Sequence, residues 1–318
     1  MNDAFFIDEA TKDQLIAQDP KSAELIKPIY EGKDLQKWSN MPLQKYLICT
    51  HNGYNGIPAV DIEQYPAIKA HLQSFEPKLS GRYDKGDTPF NLRNCAYQGL
   101  FYEPKIIWGN LQNTNKFSFD KSGTVISAPA CMLPTNNKAL LAVLNSTIVW
   151  KFLTSICVVR NGGYIEVKPQ YFEQIPIPPI GRYDRGSDSG ACPVDPTGRY
   201  LAGLSELADQ MLSLNADLQQ KRQRFLRRLQ DNLGVQKVTA ALEHFDEQDF
   251  KAFVAELKKQ KIFLSLAQQD EWEDYFNQYK ANCNALSAKI AATDKEIDRM
   301  VYELYGLTQD EIKVVEGE

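Results

Sequence analysis

Apolar residues recur at alternating steps of three and four in two long stretches of the C-terminal half. The first stretch carries Leu204, Leu207, Met211, Leu214, Leu218 and Phe225, with one polar interruption at Lys221. The second carries Leu286, Ile290, Ile297, Met300 and Leu304. A 3.5-residue apolar repeat favours a narrow seam against another helix. We therefore predict that the two stretches pair as a long antiparallel, coiled-coil-like hairpin.

Shorter helices are predicted between these two stretches, over roughly 233 to 268. They carry the apolar residues Phe245, Phe250, Phe253, Leu257, Phe263 and Leu264. Together with the hairpin they form a predicted all-helical domain over 200–318.

Residues 1–180 instead have the pattern of a mixed domain. Runs rich in β-branched and aromatic residues, separated by Gly, Pro and Asn clusters, predict strands at "KYLICT", "PKIIWGNL", "KFSF", "TVISAPACML" and "YIEV". Helical periodicity marks "YPAIKAHLQSF" and "NKALLAVLNSTIVWKFLTS", the second with Leu140, Leu141, Leu144, Ile148 and Phe152 along one side. The predicted fold class is α+β, with a β-rich domain followed by a helical one.

A segment dominated by Gly, Ser, Asp and Pro separates the two domains. It reads "GRYDRGSDSGACPVDPTG" and predicts a linker over 181–199. Just before it, Pro176, Pro178 and Pro179 lack amide donors and fix φ, so we expect neither sheet nor helix to continue there.

Composition excludes several classes of protein. Hydrophobic content of 43% with 24% charged residues is that of a soluble folded chain. No apolar run approaches the roughly 18 residues that cross a bilayer, and the N-terminus lacks the pattern of an export signal. We expect a cytoplasmic protein without a membrane partner.

Charge and metal-ligand residues give no signal of their own. Residues 1–182 hold 19 Lys plus Arg against 17 Asp plus Glu, a net charge of +2, and the remainder holds 17 against 24, a net charge of −7. Neither half is basic enough to indicate a nucleic-acid binder by composition alone. Six scattered cysteines and three isolated histidines predict reduced thiols and no metal site.

Common enzyme motifs are absent from the sequence. It contains no G-x-G-x-x-G opening a helix, no G-x-x-x-x-G-K-[ST], no G-x-S-x-G and no H-E-x-x-H. It also lacks the Asn-Pro-Pro-Tyr loop of adenine amino-methyltransferases and a glycine-rich site for the methyl donor. We expect no catalytic residue for methyl transfer in this chain.

One pattern leaves a nuclease open as an alternative. Glu103 and Lys105 match the glutamate-x-lysine half of a metal-dependent nuclease, and Asp84 or Asp87 is a candidate upstream carboxylate for Mg²⁺. The competing interpretation of Lys105 is an ordinary strand start.

Two segments carry polar and aromatic residues suited to a nucleic-acid groove. Residues 80–97 offer Arg82, Tyr83, Lys85, Asn91, Arg93, Asn94 and Tyr97. The turn at 160–168 offers Arg160, Asn161, Gly162, Gly163, Tyr164 and Lys168. Arg and Asn make paired hydrogen bonds to base edges, Lys and Tyr hold phosphates, and glycines permit positive φ and close approach. A solvated loop and a plain hairpin turn explain the same residues without a partner.

A basic run lies on the first long helix. Its members are Lys221, Arg222, Arg224, Arg227 and Arg228, with no acid from Leu218 to Gln230. We expect a solvated helix face balanced by acids of the partner helix such as Asp294, Glu296 and Asp298. The alternative is an interaction with a phosphate backbone.

Several segments, taken in order, resemble the C-terminal specificity region of TaqI-like adenine-specific DNA methyltransferases, above all the fused type IIG restriction-modification enzymes. They are "AELIKPIYEGKDLQKW", "KYLICT", "YPAIKAHL", "NLRNCAY", "EPKIIW", "ALLAVLNSTIVWKFL", "GGYIEVKPQYFEQIPIPPI" and "EIDRMVYELYGLTQDEIKVVEG". The resemblance implies a DNA target recognition domain over 1–180 and a helical spacer over 200–318, in a prokaryotic enzyme.

The same resemblance implies partners and cofactors. Double-stranded DNA is the expected ligand, and methyltransferase and nuclease domains of the same polypeptide are expected to precede this chain, with S-adenosylmethionine and Mg²⁺ bound there and no cofactor here. Loops of the family's domain face the major groove, so Lys33 and Lys37 join the residues of the two segments above as candidate DNA contacts. A protein-interaction scaffold built on the helical hairpin is a further alternative.

Overall fold

The structure, a computed structural model, describes residues 4–178 and 198–317, with the backbone alone at Arg199. The chain divides into two compact units, Met1–Ile177 and Pro178–Glu318. The linker predicted over 181–199 falls outside the described residues except for its last two positions.

The first unit contains short strands and five helices in its described part. The strands are β1 (Phe6–Ile7), β2 (Ile26–Tyr30), β3 (Tyr46–Ile48), β4 (Asn52–Tyr54), β5 (Ile57–Ala59), β6 (Lys105–Trp108), β7 (Leu111–Gln112), β8 (Phe117–Asp120), β9 (Val125–Ile126), β10 (Cys131–Pro134) and β11 (Ile165–Glu166). The helices are α1 (Glu9–Gln18), α2 (Pro66–Gln73), α3 (Lys138–Leu144), α4 (Thr147–Ile156) and α5 (Pro169–Phe172).

Four small sheets organise this unit. The largest has the order β1-β3-β2-β9, in which only the β2–β9 pair is parallel. A three-stranded antiparallel sheet has the order β10-β6-β8, and two antiparallel pairs join β11 to β7 and β4 to β5. The predicted strand segments are confirmed, except that "TVISAPACML" contains two strands, β9 and β10, which belong to different sheets. β1, β2, β4 and β5 were not predicted. In β2 and β5 the strand signal is interrupted by Pro28 and Pro58.

Helix α2 and the largest sheet share one apolar core. Ile68 and Leu72 on α2 and Ile48 on β3 have no exposed surface. Pro66 stands in the first turn of α2, where its missing N–H leaves no hydrogen bond unmade. Leu79, just before the 80–97 loop, belongs to the same core, and Phe90 and Leu92 within the loop pack against it.

The prediction of one long helix over 137–155 is wrong in one respect: the structure has two helices, α3 and α4, with a bend of 60° between them. Asn145 is buried at the break and bonds the backbone of Phe117 on β8, donating to its carbonyl at 2.9 Å and accepting from its N–H at 3.2 Å. Side-chain bonds of this kind compete with helix continuation. The bend also changes the buried face, which in α4 consists of Val149 and Leu153 rather than Ile148 and Phe152.

The second unit is helical throughout its described part. Its helices are α6 (Arg199–Leu233), α7 (Ala240–Glu243), α8 (Phe250–Lys259), α9 (Leu266–Tyr305) and α10 (Gln309–Glu316). The two long helices, α6 and α9, run antiparallel, since Gly203 lies against Met300 near one end and the Phe225 and Phe276 rings are 6.1 Å apart near the other. The predicted hairpin of long helices is confirmed; its supercoiling stays a prediction.

An aromatic core joins α6 and α9 to the shorter helices. Phe225 stacks on Phe245 with 3.8 Å between ring centroids, and Phe253 lies 5.0 Å from Phe276. The expectation that Phe263 joins this core is wrong, because α8 ends at Lys259 and Phe263 is 72% exposed.

The antiparallel register also corrects the predicted partners of the basic run. It places 221–228 opposite the Phe276 region of α9, far along the helix from Asp294, Glu296 and Asp298. Arg222 pairs instead with Asp246, at 2.9 and 2.7 Å, just after α7.

Among the described residues, no single helix is both long and apolar enough to span a membrane. The bent pair α3 and α4 meets that test only when its members are taken together, by length and composition.

Candidate functional site

Hydrogen bonds from Asn52 fix the position of the 80–97 loop, and no local sequence pattern indicates this role of Asn52. Asn52, on β4, donates to Asp87 at 3.0 Å and to Asn94 at 2.6 Å, and its own side-chain oxygen accepts from the Asp87 N–H at 2.8 Å. A loop with backbone and side-chain bonds to a neighbouring strand is held in one shape. Its exposed residues are therefore presented from a fixed support.

Two of the predicted contact residues serve the loop itself. Arg82 is only 7% exposed; its guanidinium lies 4.8 Å from the Phe5 ring and donates to the carbonyls of Asp84 and Asn91. Asn91 is 2% exposed and donates to the Val60 carbonyl at 3.0 Å. Neither side chain reaches the surface in this conformation.

The other predicted residues of the loop point outward. Tyr83 is 105% exposed, and Arg93, Asn94 and Tyr97 are exposed as well. Lys85 is exposed and donates to the Ser80 carbonyl at 2.8 Å. Arg93 has no ion pair within the described part of the chain. The loop thus offers two cations, an amide and two aromatic faces to a partner.

The second predicted segment forms a short ribbon around the glycine turn. The Arg160 N–H donates to the Tyr164 carbonyl at 2.6 Å, which closes the turn, and β11 then pairs with β7. Gly162 and Gly163 have φ of 78° and 76°, as the sequence predicted. Asn161 and Tyr164 are exposed.

One carboxylate organises the cations of this ribbon. Glu166, on β11, lies 2.8 Å from the guanidinium of Arg160 and 2.7 Å from Lys168 Nζ. The Lys168 hydrogen bond, together with Arg160 and against some loss of hydration, holds the pKa of Glu166 below its usual range. The carboxylate is therefore charged at neutral pH, and both cations are held at the ribbon surface.

A buried tryptophan anchors the ribbon to the three-stranded sheet. The Trp108 indole N–H, on β6, donates to the Val167 carbonyl at 2.9 Å, and its ring stacks 4.4 Å from Phe172 on α5. The ribbon is thereby fixed on its inner side while its outer side stays open.

A cleft of about 480 Å³ adjoins the ribbon. Gly32 and Gly109 line it and lie close together, since a methyl group at Gly109 would lie 2.7 Å from the Gly32 carbonyl oxygen. Its lining also includes Glu31, Lys33, Asn110, Leu111, Gln112, Lys116 and Tyr164. Predicted residues Lys33 and Tyr164 are thus brought to one cleft, whereas Lys37 is half-buried and does not line it.

The nuclease alternative is not supported, because Lys105 is completely buried. Its ammonium lies 2.5 Å from Asp120 and 2.6 Å from the Phe101 carbonyl. Asp87 and Glu103 are exposed, so Lys105 cannot join them at a phosphate. Lys105 begins strand β6, which is the competing interpretation given above. In the described ranges, no group of three or more His, Cys, Asp or Glu could hold a metal ion.

Sequence reasoning missed three residues that shape these surfaces, namely Asn52, Gly109 and Glu166. Glu166 stands two residues before Lys168 and six after Arg160, which is a local signal for an ion-paired turn. Asn52 and Gly109 act on partners 35 and 77 positions away (87 − 52 and 109 − 32), so no local pattern indicates them.

Comparison with known proteins bears on both units. Residues 27–177 match the family model of the TaqI-like C-terminal specificity domain, and residues 201–301 match that of a domain of unknown function, DUF8810. No curated protein is significantly similar in sequence. Among solved structures, the chain is similar to the type IIL restriction-modification enzyme MmeI in complex with DNA, at 11% identity and a TM-score of 0.49. That alignment covers 96% of this chain and 31% of the MmeI chain. The match over residues 27–177 confirms the predicted resemblance of the first unit's segments to the TaqI-like C-terminal specificity domain.

Proposed function

We propose that this chain is the DNA-recognition module of a restriction-modification enzyme, the C-terminal part of a type IIG-like adenine-N6 DNA methyltransferase. The observation that carries the proposal is the set of exposed cations and amides on two anchored loops inside a specificity domain. Duplex DNA is the partner whose phosphates and base edges match such side chains.

The two loops divide the work of recognition. Arg93 presents forked donors, which make paired hydrogen bonds to bases worth about 1–3 kcal/mol of discrimination. Asn94 presents an exposed amide whose oxygen already accepts a hydrogen bond from Asn52, so its NH2 group is the donor offered to DNA. Lys85 on the first loop, and Lys33 in the cleft beside the ribbon, are suited to phosphates, which add affinity without sequence choice. The glycine turn lets the chain pass close to the duplex, beside Arg160 and Lys168.

The fixed positions of the two loops suit the methylation reaction proposed for the whole enzyme. Methylation of adenine requires the base to leave the stack, so the duplex has to be held firmly on either side of the target. Asn52 and Trp108 supply this firmness to the two loops. The cofactor S-adenosylmethionine, and Mg²⁺ if the enzyme also cleaves DNA, would bind to other domains of the same polypeptide. Those domains are the proposed protein partners of this chain, and the proposed location of the enzyme is the cytoplasm.

DNA binding by the 318-residue chain tests the proposal. Fluorescence anisotropy with a random-sequence duplex should show weak binding, because residues 1–182 carry a net charge of only +2. The affinity should fall as the salt concentration rises, because phosphate contacts release counterions from the DNA. The triple variant R93A/R160A/K168A should weaken binding severalfold. The matched variant K78A/K121A/K151A removes three exposed lysines from the same unit and should bind as the wild type does.

The outcomes separate the alternatives. Equal weakening by both triple variants would mean that net charge alone acts, without a defined surface. Wild-type affinity in both variants would favour the protein-interaction scaffold over DNA recognition.

A further inference from the structure

The helical unit carries a row of cations with no carboxylate partner among its described residues. Lys221, Arg224 and Arg228 are spaced i, i+3 and i+7 on α6, so they lie on one side of the helix. None forms an ion pair within 198–317, where the structure describes this unit. The acids expected to balance them lie elsewhere along α9, and the buried Asp246 is already bound bidentately by Arg222.

The row borders a groove between α6 and α9. Two adjoining depressions of about 520 and 470 Å³ share Tyr275. Lys221 and Arg224 line the first, and Arg228 lines the second. Apart from Asp217 and Glu271, the remaining lining consists mainly of amide and aromatic side chains. Two acids, Asp217 and Glu271, therefore face the groove, one in each depression.

We propose that this groove binds the phosphate backbone of duplex DNA without reading its sequence. The inference rests on the proposed function for the identity of the polyanion, and adds to it a second surface on a different unit. Three cations meet two carboxylates in the groove, and Arg227 adds a further exposed cation beside it. Amide and hydroxyl groups between the cations donate hydrogen bonds to phosphate oxygens, as neutral side chains do in protein–DNA complexes.

The dimensions fit a stretch of one DNA strand. Residues 221 to 228 span about 10 Å of helix at 1.5 Å per residue. Phosphates of one strand recur every 3.4 Å along the duplex axis, so the row faces about three nucleotide steps. The groove lies in a unit whose overall charge is negative, so attraction is confined to this face and screened beyond about 10 Å at moderate salt.

Salt-dependent binding of the whole chain tests the inference. The triple variant K221Q/R224Q/R228Q should bind a random duplex of about 30 base pairs roughly tenfold more weakly at low salt. Its plot of log affinity against log salt should be flatter by about one unit for each phosphate interaction that the substitutions remove. The control K251Q/K258Q/K289Q removes the same charge from exposed lysines of the same unit and should leave both quantities unchanged. The conservative variant K221R/R224K/R228K should retain wild-type binding, and circular dichroism of each variant monitors folding.

The outcomes distinguish this inference from the proposed function. If R93A/R160A/K168A weakens binding but K221Q/R224Q/R228Q does not, the first unit recognises DNA and the groove does not. The reverse result supports the groove and removes the support for the first unit. A wild-type chain that binds no duplex overturns both. If the groove variant loses binding to poly-L-glutamate while its DNA binding is unchanged, the partner is an acidic protein segment and the inference is wrong.

Discussion

Glu166 Oε1 accepts a hydrogen bond of 2.9 Å from Arg160 Nε, across a turn that contains both positive-φ glycines. Its second carboxylate oxygen lies 2.7 Å from Lys168 Nζ. The free chain therefore holds two of its proposed DNA-contacting cations beside an anion that partly neutralises them. This relationship sets the charge of the ribbon surface more than the composition of the segment does.

Replacing Glu166 with glutamine should raise non-specific affinity for DNA and steepen its salt dependence, because Arg160 and Lys168 lose their competing anion. Anisotropy titrations against a random duplex measure both quantities. Glu173→Gln, at an exposed acid that pairs with no cation in the described part of the chain, removes the same charge nearby and should have little effect. Equal effects of the two variants would show that the ion pairs are irrelevant.

The pH dependence of this surface follows from the same carboxylate. Its lowered folded-state pKa, caused first by the Lys168 hydrogen bond and then by Arg160, means that the charge persists from neutral pH down to below the usual glutamate range. As pH falls through that lowered pKa, the wild type should approach the affinity of Glu166→Gln. A convergence of the two proteins near neutral pH would contradict the lowered pKa.

Lys105→Met should destabilise the first unit by about 3–5 kcal/mol, because it leaves Asp120 buried without its cation. Urea unfolding followed by tryptophan fluorescence measures the loss. Lys121→Met, at the exposed neighbour of Asp120, should change the unfolding free energy by less than about 0.5 kcal/mol. A loss below about 1 kcal/mol for Lys105→Met would contradict the assigned ion pair.

The Lys105–Asp120 pair also predicts how acid affects stability. Although burial of the Asp120 carboxyl opposes ionisation, hydrogen bonds from Lys105 and Ser122 leave its pKa below its usual value. Its contribution to stability is thus complete above the unfolded-state pKa near 4 and is lost as pH falls through the folded-state value. The wild type should lose stability in that acidic range, and Asp120→Asn should lose less there.

These residues show why the sequence predicts some features and not others. The strand "PKIIW" is evident because consecutive apolar β-formers need a buried sheet, whatever lies around them. The burial of Lys105 is not evident, because its partner comes fifteen residues later on the neighbouring strand. The break at Asn145 and the pinning role of Asn52 likewise depend on backbone and side chains that only the folded chain brings near.

The charged faces were predicted least well. The basic run on α6 is evident from the sequence, but its partners depend on the register of α6 against α9. A 3.5-residue repeat is compatible with several registers, so it does not determine which acids lie opposite the run. The structure fixes that register through the packing of Phe225 against Phe276 and so separates the run from Asp294, Glu296 and Asp298.

Gly109→Ala should destabilise the first unit by about 1–3 kcal/mol, because its methyl group would lie 2.7 Å from the Gly32 carbonyl oxygen and backbone has to move. Thermal unfolding measures the change. At Gly81 the nearest atom to an added methyl group is 3.8 Å away, so Gly81→Ala provides the control and should be tolerated. If both variants melt with the wild type, the close approach of Gly32 and Gly109 is not a feature of the folded protein.

Phe225→Ala should cost the helical unit about 3–5 kcal/mol, because the ring has no exposed surface and stacks on both Phe245 and Tyr275. Phe263→Ala removes the same atoms from a side chain that is 72% exposed and should change stability by less than about 0.5 kcal/mol. Chemical denaturation followed by far-ultraviolet circular dichroism compares the two, since most of the signal comes from α6 and α9. Equal losses would place Phe263 in the core after all and would contradict the end of α8 at Lys259, whereas the expected difference identifies the aromatic cluster as what holds the two long helices in register.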